Sequence, residues 1–215
     1  MELPRIAALL APFGVELNRA QLAQVATYLD LLLRWNARIN LTAVRDPEQI
    51  VQRHFGESFF AADRLKAALA KEFQPTALDL GSGAGFPGLP LKIAAPNLRV
   101  TLIESHARKG TFLNEVIRAL GVADASVYRG RAESFAAQAR LVTLRAVEEF
   151  DRVLPTAASL VAPGGRLALM IGAVQVAKAR GGAPGLKWEE PIHVPLSKAR
   201  TLLVGMNPPK HESNP

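Results

Sequence analysis

The sequence predicts an α/β protein: a seven-stranded, mostly parallel sheet with an antiparallel last strand, joined to an N-terminal helical cap. Three observations carry this reading. From residue 77 onward, apolar strand-like runs alternate with helical runs, the pattern that builds a parallel sheet with helices on both faces. Before residue 77, apolar residues recur at helical spacing. At the junction lies Ala77-Leu78-Asp79-Leu80-Gly81-Ser82-Gly83-Ala84-Gly85-Phe86-Pro87-Gly88. There a short apolar run closes on an acid, glycines alternate with small residues, and a helix begins. Glycine lacks a Cβ, so such a turn can take positive φ and let a ligand lie against bare backbone, under the free N–H groups of the next helix.

In chain order, residues 1–45 read as helical. Asn18 with Gln21 makes a capping-box pattern, and Leu22, Val25, Leu29, Leu32 and Leu33 form a stripe that Trp35 and Ile39 extend. That stripe needs a neighbour to pack on. Asp46-Pro47-Glu48 starts a second helix, with Asp as cap and Pro at its first position; Gly56 interrupts it and marks close packing or a kink. Strands are expected at 77–81, 99–104, 125–129, 141–145 and 166–171, and helices at about 87–95, 107–120, 132–139 and 148–161. Gly121 sits where a C-cap glycine belongs, and Pro163-Gly164-Gly165 turns the chain into the fifth strand. Residues 188–194 and 200–206 read as two strands whose short connection implies antiparallel pairing. The expected division is a helical extension over 1–70, a sheet domain over 71–207 and a frayed tail over 208–215.

Composition narrows the function classes. The chain has 215 residues, 49% of them hydrophobic and 21% charged, as in a folded, soluble domain. No apolar run reaches the roughly 18–20 residues that span a bilayer, and the N-terminus lacks a signal-peptide pattern, so a cytoplasmic protein with no membrane association is expected. There is no cysteine, which excludes disulfides, thiol nucleophiles and thiolate metal sites. The net charge of +7 suits a polyanionic partner such as nucleic acid, although charge alone also serves solubility.

The glycine turn reads G-x-G-x-G at Gly81, Gly83 and Gly85. A dinucleotide fingerprint needs a small residue where Phe86 stands, and no Lys-Ser/Thr makes it a phosphate loop; a nicotinamide-dependent dehydrogenase is therefore a distant reading. Asp79 precedes the turn. Glu104 ends the second strand, beside the first strand's tip, where a carboxylate can accept both hydroxyls of a ribose; capping the helix near His106 is its plainer role. Ala132 and Glu133 follow the third strand's tip, where backbone can face a nucleoside base. Arg145 ends the fourth strand beside the same cleft, or makes an ordinary surface ion pair. Together these strand ends describe a site for an adenosine-bearing cofactor.

The pattern resembles the S-adenosylmethionine-dependent methyltransferases, whose fold is the Rossmann-like class I type. More narrowly, it is similar to the bacterial ribosomal small-subunit RNA methyltransferase G family, also called glucose-inhibited division protein B. The residues that carry the resemblance are Trp35-Asn36, Asn40-Leu41-Thr42-Ala43, Arg53-His54, Ser58, the run Leu78–Leu91, Lys109, Phe112-Leu113, Arg145-Ala146 and Pro163-Gly164-Gly165, spanning roughly residues 20–172. Glu57, Leu144 and Ile171 depart from the family's usual Asp, Ser and Lys. The resemblance implies S-adenosyl-L-methionine as cofactor, held by Gly81, Phe86, Ala132, Glu133 and Arg145, and methylation of guanine N7 in the 530 stem-loop of 16S ribosomal RNA. The implied partner is that RNA or the small ribosomal subunit, met by a monomer.

The residue inventory suits this chemistry. Guanine N7 has an in-plane lone pair and no proton, so methyl transfer needs alignment and dryness rather than a general base, and no catalytic residue is expected. The four histidines show no metal-ligand spacing, so no metal is expected. His54 reads as structural or RNA-facing, and Trp35 as core. Asn36 and Asn40 can pin the helix end to the next loop. Arg34, Arg38, Arg45 and Arg53, with Asn40, His54 and Arg145, are candidate RNA contacts; a solvated basic face is the plainer alternative for the arginines. Other readings left open are a methyltransferase for another RNA and a non-catalytic RNA-binding ribosome assembly factor.

Overall fold

A computed structural model describes residues 1–70, 72–146 and 149–209. The start of the helix expected from 148, and the frayed tail from Lys210 onward with His211, lie outside the described residues.

The cap begins with α1 (Leu3–Leu10) and α2 (Arg19–Asn36). The α2 capping box forms as the sequence requires: Gln21 N donates to Asn18 Oδ1 at 2.9 Å and Asn18 N to Gln21 Oε1 at 2.9 Å. Residues 37–45, expected to continue the helical run, form turns and loop instead. Asn36 stops the helix by turning its side chain onto the loop, accepting from the N–H groups of Leu41 and Thr42 and donating to Thr42 O. Asp46 caps α3 (Pro47–Ile50), accepting from Gln49 N at 2.8 Å. A π-helical turn over Val51–Gly56 follows and runs into α4 (Glu57–Leu69). Gly56 is the reason for close packing here: a Cβ would run into the ring of Phe13.

The sheet contains β1 (Thr76–Leu80), β2 (Arg99–Ile103), β3 (Ala125–Tyr128), β4 (Ala139–Arg145), β5 (Val161–Gly172), β6 (Lys187–Trp188), β7 (Ile192–His193) and β8 (Arg200–Met206). The order is β3-β2-β1-β4-β5-β8-β6, with β7 also on β8. β1 to β5 are parallel, while β8 runs antiparallel to β5. The expected strand over 188–194 is therefore two short segments that share one edge of β8, and counting them together gives the seven expected strand positions. The fifth strand begins earlier than expected. Pro163-Gly164-Gly165 lies inside β5 as an irregularity in its pairing with β4, with Gly164 at φ +73°.

Between the strands lie α5 (Gly88–Ala94), α6 (Ala107–Leu120), α7 (Phe150–Ser159) and α8 (Val176–Gly182). Gly121 closes α6 in the left-handed conformation. The helix expected over 132–139 is only a 3-10 turn at Ala132–Ser134; the chain then extends so that Phe135 packs edge-on against Tyr128, with ring centroids 5.0 Å apart. α8 carries no apolar stripe, because only Ala179 is buried.

One apolar cluster joins α1, α2 and α4 to α5, α6 and one sheet face, through Leu29, Phe59, Leu102, Phe112 and Leu113. A second joins the other face to α7 and α8 through Val142, Leu154, Ala157 and Ala179. Burying these faces from water is the main stabilising contribution. The sheet order reverses between β1 and β4, so a crevice opens at the strands' C-terminal ends, and the cap's loop overhangs it.

Candidate functional site

The glycine turn forms the floor of that crevice. Gly81, Gly83 and Gly85 stand at φ +63°, +56° and +88°, where an L side chain is strained. Glu104 is buried under the turn: Oε2 accepts from Gly83 N at 2.9 Å and Oε1 from His106 N at 2.7 Å. Glu104 thus ties the glycine turn to the start of α6. The carboxylate stands at the wall of a cavity of about 790 Å³, within the usual range for a small-molecule site.

Gly81, Gly83, Phe86, Glu104, Ala132, Glu133 and Arg145 line this cavity, and from the cap Arg53, His54 and the loop Leu41–Val44 do so. Asp79 and Gly85 do not. Asp79 lies behind the wall, 1% exposed, accepting from Thr143 Oγ1 at 2.7 Å and Gly88 N at 3.2 Å. Burial pushes its carboxyl up to about 6, against the pull of those donors. Gly85 serves the cap: a Cβ there would strike the Tyr28 hydroxyl, which donates to Ala84 O. Arg34, Arg38 and Asn40 are exposed outside the cavity, and Asn40 accepts from Arg45 Nη2 at 2.8 Å. Trp35 packs edge-on against Phe112 and donates to Glu115.

Phe86 is the hinge between turn and cap. Its ring stacks on Tyr28 at 5.3 Å and meets Phe55 edge-on at 5.0 Å, and the Arg145 guanidinium lies 5.9 Å from its centroid, a cation–π distance. The π-helical turn, marked by Glu57 N donating to Gln52 O, buries Phe55 while Arg53 and His54 line the cavity; such turns recur at functional sites.

Arg145 Nη2 donates to Arg53 O at 2.6 Å, to His54 Nδ1 at 3.1 Å and to Glu57 Oε2 at 3.1 Å. An arginine can only donate, so His54 Nδ1 accepts and its proton sits on Nε2, which faces Thr42 Oγ1 at 2.7 Å. Both ring nitrogens are engaged. Burial, then Arg145, Arg53 and Arg200, pull His54 down to about 3, with Glu57 also facing the group. Between pH 6.5 and 3 the unfolded histidine therefore holds more protons than the folded one, so its contribution to stability is lost as pH falls through that window. Asp79 acts oppositely, its folded proton excess making stability fall as pH rises from 3.8 to about 6. The ring resonances of His54 should show no titration between pH 5 and 8 by NMR; a midpoint near 6.5 would contradict this network.

Sequence reasoning overlooked Glu57 and Arg200 as site residues. Glu57 is 2% exposed and bridges two arginines, with Arg200 Nη2 2.7 Å from Oε1. Burial raises the Glu57 carboxyl above its ordinary range and lowers Arg145 below its own, yet the group stays ionic because arginine keeps its proton. The only signal for Glu57 was its departure from a motif, and for Arg200 there was none.

Comparison with known proteins settles the family. The model for "rRNA small subunit methyltransferase G" matches residues 21–191. The chain belongs to the rRNA small subunit methyltransferase G family. Relatives named ribosomal RNA small subunit methyltransferase G include one from Roseiflexus sp. (strain RS-1), 40% identical over 206 residues, covering 89% of this chain and 86% of that one. Another, from Chloroflexus aggregans, is 38% identical over 205 residues, covering 89% and 84%. The fold of this family member is that of class I methyltransferases. It is similar to N-methyltransferase NodS from Bradyrhizobium japonicum solved with S-adenosyl-L-homocysteine, with a TM-score of 0.58 at 16% identity over 85% of this chain and 98% of that one. It also resembles a SAM-dependent methyltransferase from Aquifex aeolicus, with a TM-score of 0.56 at 17% identity over 75% and 94%. Among the described residues no helix is long and apolar enough to cross a membrane, and no group of three or more His, Asp or Glu side chains is placed to hold a metal.

Proposed function

We propose that this protein transfers a methyl group from S-adenosylmethionine to N7 of a guanine in the 530 stem-loop of 16S ribosomal RNA. The observation that carries the reading is a nucleoside-sized crevice in which the only histidine among the described residues has both ring nitrogens occupied. Such a site is built to hold and align, not to move a proton. That is what N7 methylation asks of a protein.

The residues suit the cofactor. A Cβ added at Gly83 would have only Gly81 O within 4 Å, at 3.7 Å, so the turn leaves bare backbone facing open space. Glu104 offers carboxylate oxygens to ribose hydroxyls, and Ala132 and Glu133 stand where the adenine would lie. Asp79 and Gly85 support the turn from behind. When bound, S-adenosylmethionine supplies an electrophilic methyl group. Phe86, Arg145 and His54 wall that part of the crevice, excluding water and fixing the approach of the base. Arg53 at the rim, with Arg34, Arg38, Arg45 and Asn40 on the cap's outer face, contacts RNA phosphates, in keeping with the net charge of +7. On this reading residues 1–70 are the RNA-facing extension of a catalytic domain over 71–207, and the protein works in the cytoplasm as a monomer on the RNA or the small subunit.

Purified protein incubated with S-adenosylmethionine and small-subunit RNA should yield 7-methylguanosine on nucleoside mass analysis. Methyl transfer to another nucleoside, or RNA binding without any transfer, would overturn the reading.

A further inference from the structure

We propose that Arg200 selects guanine by donating a hydrogen bond to O6 of the target base, seated in a side cavity beside the cofactor crevice. This rests on the N7 reading above. The side cavity, of about 160 Å³, opens between the ends of β4 and β5 and is walled by Leu144, Phe150, Met170, Ile171 and Gln175. At about 30 Å³ per molecule in the liquid it would hold about five waters, the scale of one planar ring system rather than a whole nucleotide. Its walls are mostly apolar, as a flipped base requires.

Arg200 stands at the throat. It lines both the side cavity and the crevice. Glu57 Oε1 holds Nη2 at 2.7 Å, which fixes the plane of the guanidinium. Its Nε is buried and, among the described residues, has no hydrogen-bond partner. That atom faces no open space, so what the throat offers a ligand is the outer edge of the guanidinium: the side chain is 33% exposed and lines both cavities, and Glu57 engages Nη2 out of a fork of five N–H donors. Glu57 also offsets the charge of Arg200 and Arg145, so the throat offers a donor without two uncompensated cations facing a base that gains positive charge.

The chemistry of the base decides which acceptor this is. For methylation the N7 edge must face the crevice. O6 lies on that same edge in guanine, whereas adenine places an amino donor there. A fixed donor at the throat therefore accepts guanine and opposes adenine while leaving N7 free.

The test uses an RNA stem-loop carrying guanosine, inosine or 2-aminopurine ribonucleoside at the target position. Inosine keeps O6 and N7; 2-aminopurine keeps N7 and lacks O6. For the wild-type protein, inosine should match guanosine within a few-fold, and 2-aminopurine should fall about 10- to 100-fold in kcat/KM. RNA affinity, measured by anisotropy with S-adenosylhomocysteine present, should fall in the same order. In Arg200→Met the guanosine RNA should drop to the level of the 2-aminopurine RNA, with the calorimetric Kd for S-adenosylhomocysteine unchanged. If Arg200→Met loses that binding, Arg200→Lys serves instead: it keeps a charge facing Glu57, lacks the planar guanidinium fork that can serve Glu57 and the base at once, and should show the same collapse. A preserved guanosine preference in the folded variant, or inosine as poor as 2-aminopurine, overturns the proposal. Absence of any 7-methylguanosine from the wild-type protein on the guanosine RNA overturns the N7 reading itself, and this proposal with it.

Discussion

Gly83→Asp should weaken cofactor binding at least about 100-fold (about 2.7 kcal/mol or more) while leaving the fold in place. The position tolerates the substitution sterically, because a Cβ there meets only Gly81 O at 3.7 Å. Its φ of +56° is one that aspartate adopts more readily than most residues, so the backbone cost is about 1 kcal/mol, a Tm change of about 2–4 °C for a chain of this size. The new carboxylate would project into the crevice next to Glu104, whose Oε2 already accepts from Gly83 N at 2.9 Å. Two acids would then crowd the place where Glu104 is proposed to receive a ribose. Calorimetry with S-adenosylhomocysteine checks the affinity and thermal denaturation checks the fold; an unaltered Kd would remove the cofactor from this turn.

Glu57→Ala should cost the protein about 3–5 kcal/mol, the usual penalty for removing one partner from a buried ion pair, seen as a Tm about 10 °C lower. The carboxylate is 2% exposed and the Arg145 side chain 9%, so solvent screens little of the charge left behind. Arg200 is 33% exposed and loses less. Glu57→Gln keeps the volume and an acceptor oxygen and should fall between the wild type and Glu57→Ala. A Tm for Glu57→Ala within about 2 °C of the wild type would show that Arg145 finds other partners.

Where chemistry was local, the sequence spoke clearly. The capping box of Asn18 and Gln21, the Asp46 cap and Gly121 each depend on a few adjacent residues, and each is where it was expected. Alternating strand and helix runs gave the parallel sheet, and the strand-end rule brought Glu104, Ala132, Glu133 and Arg145 to one crevice. Features that depend on distant partners were hidden. Gly85 belongs to the glycine turn in sequence, but the nearest atom a Cβ there would meet is the Tyr28 hydroxyl from α2, so its need for a bare Cα comes from docking of the cap. Phe86 told against a dinucleotide; its stacking between cap and turn could not be read from spacing. Glu57 and Arg200 lie on opposite sides of the whole sheet domain in sequence and meet only because β8 folds back beside β5. The helix expected over 132–139 failed for another reason: the chain there has no apolar stripe to bury, and Phe135 finds Tyr128 by extending instead.

The central claim is that this crevice delivers a methyl group to N7 of one guanine. N7-methylguanosine becomes a site of chain scission after reduction and aniline treatment, so the reaction of purified protein, S-adenosylmethionine and small-subunit RNA can be mapped to the nucleotide. A single scission within the 530 stem-loop, dependent on both protein and cofactor, is the expected result. Methyl incorporation without scission, or scission outside that stem-loop, would contradict the account.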